Sequence, residues 1–213
     1  MMKKILITGF QVFGDYAENT SELVVRNIRF IGPYAVEKMI FPVRIFGKSE
    51  DFGKDILHRA KIIKPRAIIS LGMASSVHGL RIESQATNWV DNLKYCLASE
   101  QGKVISPCFE EHYRLPVNLK PWDISKIMSD LDSSGLTHEE EISQDAGAFC
   151  CNALMFRTLK LMRYEPIPYL FLHLPCTAGA IKDIPDFGKD KYLTSLPEIA
   201  KILTIIMDGL KTG

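Results

Sequence analysis

Short apolar runs alternate along the chain with longer segments in which apolar residues recur every three to four positions. The runs at 4–8, 36–43, 67–71, 80–86 and 169–174 read as strands, and the longer segments at 21–29, 49–63, 124–131, 148–163 and 196–210 read as amphipathic helices. Strands that alternate with helices predict an α/β fold, a three-layer α/β/α sandwich around a mixed, mostly parallel central sheet, whose sites gather where strands end at their carboxyl edge. The stretch 92–119 has no clear period and carries Gly102, Pro107 and Pro116, which marks it as a lid or a subunit contact. Neither an internal repeat nor a Pro/Ser-rich linker interrupts the pattern, so residues 1–213 are expected to form a single domain.

Composition narrows the function classes. The 213 residues are 46% hydrophobic and 24% charged, enough to bury a core without a disulfide or metal staple. Lys plus Arg number 26 against 25 Asp plus Glu, which leaves no cationic excess for a nucleic acid. Lys3 and Lys4 precede only a brief apolar run before Thr8 and Gly9, a first strand rather than a signal peptide, and no run is long enough to span a membrane. A cytoplasmic location is expected. The five cysteines, Cys96, Cys108, Cys150, Cys151 and Cys176, are odd in number and lack C-x-x-C spacing, so they read as free thiols rather than a disulfide framework or zinc knuckle.

Four segments can carry chemistry. Gly9-Phe10-Gln11-Val12-Phe13-Gly14 follows the first strand, but Asp15-Tyr16 stands where a phosphate loop needs Lys and Ser/Thr, so phosphate binding is excluded. Phe10 and Phe13 then either pack in the core or line a small apolar pocket. Cys151 opens the helix at 148–163, where unpaired backbone N–H groups and the helix dipole favour a thiolate and can hold an oxyanion. Against this, Cys151 shares one helix face with Met155, Leu159 and Met162, a packing pattern. His173 is a polar ring at the exit of an apolar strand, and beside a thiol it acts as general base. Glu83 is either a solvated carboxylate or the group that orients the imidazole. The remaining histidines, His58, His78, His112 and His138, show no metal-ligand pattern.

In this order the segments resemble pyroglutamyl peptidase I, the pyrrolidone-carboxylate peptidase family of cysteine peptidases. The likeness rests on Thr8-Gly9-Phe10-Gln11-Val12-Phe13-Gly14 with Asn19, on Glu83, Ala86 and Asn88 with Gly72 upstream, on Ser143, Ala146, Gly147, Phe149, Cys151 and Asn152, and on His173-Leu174-Pro175. It implies a cytosolic enzyme, active without metal or cofactor, that removes an N-terminal 5-oxoproline from peptides. Cys151 would be nucleophile, His173 base and Glu83 orienting acid, with Phe10, Phe13 and Phe149 walling the lactam pocket and Cys150 a further wall residue. A pocket without a carboxylate would reject a charged α-amine and accept the neutral lactam. The resemblance also implies a homo-oligomer, a tetramer.

The chain departs from the family pattern at several positions. Ser76-Val77 stands where the family has Gly-Arg, Ser84 follows Glu83 in place of Arg, and Leu93 falls at a further arginine position, with Lys94 next to it. Two other readings therefore stay open: a lactam- or peptide-binding homologue with weakened or absent turnover, and an amidohydrolase for another small lactam.

Overall fold

The computed structural model describes residues 2–46, 52–91, 99, 101–184 and 192–211. The main sheet has strand order β2-β3-β1-β4-β8-β5, formed by Phe30–Ile31 (β2), Tyr34–Phe41 (β3), Lys4–Phe10 (β1), Ile68–Met73 (β4), Tyr169–Leu174 (β8) and Arg81–Glu83 (β5). β3, β1, β4 and β8 run parallel, while β2 and β5 close the two edges antiparallel. The sheet is mixed and mostly parallel, as the alternating pattern predicts. Every residue of β4 and β8 is buried, which is why these central strands read as unbroken apolar runs.

Helices cover both faces. Helices α2 (Phe52–Ile63) and α4 (Cys150–Met162) pack together on one face, close enough that a Cβ on Gly53 would meet the Arg157 backbone carbon at 3.0 Å. Helix α1 (Thr20–Asn27) lies on the opposite face, where Gly9 lets the Ser21 carbonyl approach to 2.7 Å of its missing Cβ; α5 (Leu196–Asp208) packs beside α1, and α3 (Ile124–Ser133) against α5. Caps fix the helix starts: Asn19 accepts the Ser21 N–H at 2.9 Å, and Ser195 with Glu198 forms a capping box at α5.

The expected strand at 80–86 is divided. Arg81–Glu83 joins the main sheet, whereas Gln85–Thr87 (β6) pairs with Arg114–Pro116 (β7) in a separate two-stranded sheet. Ser84 is the crossing point, its N–H donating to the Ser143 carbonyl and its own carbonyl accepting from Val117, both at 2.8 Å. β7 lies inside the stretch expected to be irregular. The start of the expected helix at 49–63 and residues 92–98 lie outside the described residues. Among the described residues no helix is long and apolar enough to cross a membrane.

Candidate active site

Cys151 is the second residue of α4, and a sharp turn places it there. Gly147 adopts φ +79°, a conformation costly for any residue with a Cβ, and its N–H donates to Asp145 Oδ1 at 2.9 Å. Phe149 is the extended N-cap and offers no side-chain cap, and the backbone N–H groups of Cys150 and Cys151 in the first turn approach the Cys150 sulfur. The first intrahelical bond runs from Ala153 N–H to the Phe149 carbonyl. Asn152, 1% exposed, anchors this turn to β6: its amide accepts from Thr87 N–H at 2.8 Å and donates to the Thr87 and Trp89 carbonyls at 2.9 Å. Asn88 does the same for the 105–110 loop, donating to the Ser106, Phe109 and Glu110 carbonyls at 3.0 Å. The two asparagines are therefore scaffold.

β8 brings His173 beneath Cys151. Its register sets His173 opposite Gly72 on one side and Arg81 on the other, with Glu83 two residues along β5 on the same face. The His173 Nδ1 and Glu83 Oε1 are 2.7 Å apart; the Glu83 side chain is fully buried and that of His173 nearly so. Gly72 shows how closely the other ring nitrogen and the thiol approach: a Cβ there would fall 2.8 Å from Cys151 Sγ and 3.1 Å from His173 Nε2. Only a glycine leaves both atoms room.

These contacts set the protonation states. The Cys150 thiol donates to Cys151 and, together with the charge and hydrogen bond of His173, outweighs burial to bring Cys151 down to about 6. Burial alone would lower His173, yet the facing Cys151 thiolate and the Glu83 carboxylate lift it to about 9. Between those values the site holds a thiolate–imidazolium pair. Cys150, by contrast, is buried in the core, and burial first, then its bond to the neighbouring thiolate, pushes it well above 9.0.

The pair opens into a cavity of about 460 Å³. Phe13 and Phe149 line it with their ring centroids 6.3 Å apart, and Tyr16 lies 5.3 Å from Phe13. Phe10 is 2% exposed in the core and is not among the residues lining the cavity: it ends β1 within the sheet, whereas Phe13 follows the strand end. Tyr16, Arg81 and Asp145 are lining residues that the sequence reading did not single out. For Arg81 a signal existed, since it stands two residues before Glu83 and so shares its strand face. The walls are not free of carboxylates, because exposed Asp145 sits at the rim. At the altered family positions, Ser76 lines the cavity and Val77 is buried, while Leu93 and Lys94 lie outside the described residues. Among the described residues no three His, Cys, Asp or Glu side chains converge to hold a metal ion.

Comparison with known proteins follows the same line. The pyroglutamyl peptidase family model matches residues 3–208. The pyrrolidone-carboxylate peptidase of Oceanobacillus iheyensis is 30% identical over 88% of this chain and 92% of its own, and that of Halalkalibacterium halodurans is 29% identical over 97% and 98%. For the fold, a mutant pyrrolidone carboxyl peptidase from Pyrococcus furiosus superposes with a TM-score of 0.78 at 24% identity over 97% of both chains. Pyroglutamyl peptidase I from Bacillus amyloliquefaciens gives 0.75 at 23% identity over the full length of both. The chain belongs to the pyroglutamyl peptidase family.

Proposed function

We propose that this protein is a cysteine peptidase that hydrolyses the amide bond following an N-terminal pyroglutamyl residue. The observation that carries the reading is His173, bonded through Nδ1 to buried Glu83 and set against Cys151 at the mouth of an aromatic-walled cavity. In this mechanism the Cys151 thiolate attacks the pyroglutamyl carbonyl, and the oxyanion forms beside the N–H groups of the α4 first turn. The His173 imidazolium gives its proton to the departing amine, leaving a thioester on Cys151. Neutral His173 then takes a proton from water, the hydroxide attacks the thioester, and 5-oxoproline leaves as the thiolate is restored. Glu83 holds the imidazole in the required tautomer and stabilises its charged form. Phe13, Tyr16 and Phe149 give the neutral lactam an apolar seat, in which an unpaired ammonium would be poorly solvated.

A fluorogenic pyroglutamyl amide tests the reading directly. In reducing buffer with a metal chelator, the wild type should release the fluorophore and Cys151→Ala should release none. Release no greater than that of the variant would overturn the assignment. The same reading places the enzyme in a reducing compartment, the cytoplasm, where Cys151 stays a free thiol. The family resemblance further supports self-association, for which light scattering of the purified protein is the check.

A further inference from the structure

The lactam ring carries no charge, yet the cavity wall includes an arginine. Arg81 lies directly opposite His173 in the β5–β8 register, on the cavity side of the strand. Its Nη2 donates to Glu139 Oε1 at 2.9 Å, and Glu139, which also accepts the His78 N–H at 3.3 Å, is not itself a lining residue. The guanidinium is thus pinned from behind. Of its five N–H donors this bond commits one; Nε is buried without a protein partner, and the side chain remains 24% exposed. Among the described lining residues only Arg81 and His173 can carry positive charge; Glu83 and Cys151 answer His173 within the site, whereas Glu139 answers Arg81 through one N–H from outside the cavity lining.

Resting on the proposed function, we infer that Arg81 is a specificity residue that receives a carboxylate on the leaving portion of the substrate, so that the preferred class is short acidic pyroglutamyl peptides. The ring side of the substrate offers no anion, because its only polar groups are amide in character. An anion must therefore come from beyond the scissile bond. Asp145, an exposed lining residue just before the α4 turn, disfavours a carboxylate in its own neighbourhood. Two sources share this chemistry: the free α-carboxylate of a dipeptide and the side chain of an Asp or Glu that follows the pyroglutamyl residue.

Matched substrates separate the sources. kcat/KM is measured for pyroglutamyl-alanine as acid and as amide, for pyroglutamyl-glutamate and pyroglutamyl-glutamine as α-amides, and for a neutral fluorogenic amide as reference. At least one acidic member should be preferred over its neutral partner by about ten-fold, the scale of one charge-assisted hydrogen bond, and mainly through KM. The preference should shrink with added salt, survive in part in Arg81→Lys and fall toward unity in Arg81→Gln. Because Arg81→Gln alone strands Glu139, the double variant Arg81→Gln/Glu139→Gln keeps the test valid if the single variant fails to fold. Equal kcat/KM within both wild-type pairs, or an acid preference that the variants retain, overturns the inference while leaving the peptidase assignment intact. Hydrolysis of none of the substrates sinks the peptidase assignment and this inference together.

Discussion

Glu83 and Glu37 lie on one face of the same sheet, each with an oxygen 2.7 Å from a basic nitrogen, Glu83 on His173 near the carboxyl edge and Glu37 on Lys4 at the amino edge. Their surroundings differ. Glu37 has a second cation, Arg59 at 2.5 Å, and the side chains of Lys4 and Arg59 are 39% and 42% exposed. Glu83 is wholly buried, has one titratable partner, and leaves Oε2 without a hydrogen bond. A pairing that only served stability would not keep a half-satisfied carboxylate in the interior, where replacement of such pairs by apolar groups is often neutral or favourable. The contrast shows that contact distance says little about role; burial and the identity of the partner decide it.

The comparison breaks most visibly at Glu83. In Glu83→Gln the amide nitrogen can donate to His173 Nδ1 and force the N–H onto Nε2, the atom that must exchange a proton with Cys151. Turnover of the fluorogenic amide should fall about 10³-fold, while the melting temperature holds within a few degrees because a neutral group replaces a buried charge. Turnover within ten-fold of wild type would remove Glu83 from the mechanism. A smaller loss, about 10²-fold, is expected for Gly72→Ala, whose new Cβ would crowd Cys151 Sγ at 2.8 Å and displace the nucleophile from the imidazole. Normal turnover in that variant would contradict the close approach of thiol and ring.

The pH dependence sharpens the contrast without a mutation. Iodoacetamide should label Cys151 with a midpoint of about 6 and leave Cys150 unmodified there; equal labelling of the two would contradict their opposite shifts. kcat/KM should rise through about 6 as the thiolate forms and fall through about 9 as His173 loses its proton. Stability should behave differently. The lowered Cys151 value adds stability as pH rises from about 6 toward its ordinary 9.0, and the raised His173 value removes it as pH rises from its ordinary 6.5 toward about 9. From about 6.5 to about 9 the folded and unfolded pairs each hold one proton, so the melting difference between wild type and Cys151→Ala should stay level there. A sloping difference would mean that the two groups titrate independently.

Much of this arrangement was legible in the sequence. The central strands and α4 follow from uninterrupted apolar runs and a helical period, and the placement of Cys151 at a helix start follows from Gly147 and the change of period after it. The split at Ser84 was barely legible: Leu80, Ile82 and Ala86 keep a period of two that lapses only at polar Ser84, and one such lapse does not say that the chain leaves one sheet for another. Phe10 and Phe13 look equivalent in a glycine-bounded turn, and only the strand end at Phe10 separates core from cavity. Arg81 shares a strand face with Glu83 by parity, but its position opposite His173 depends on long-range pairing of β5 with β8 that no local pattern encodes.

At the amino edge the comparison predicts the smallest effect. Glu37→Gln removes the charge that Lys4 and Arg59 share, but both cations stay hydrated, so the loss at neutral pH should be at most about 1 kcal/mol. Because Lys4 and Arg59 lower the Glu37 value from its ordinary 4.5, its contribution is present above 4.5 and fades as pH falls through the lowered value. The melting difference between wild type and Glu37→Gln should therefore close in acid and shrink in salt, with kcat/KM within two-fold throughout, roughly the scatter expected for a distant surface change. A loss in turnover comparable to that of Glu83→Gln would mean that the two edges of the sheet are coupled, and that the division between scaffold and site drawn from burial is misplaced.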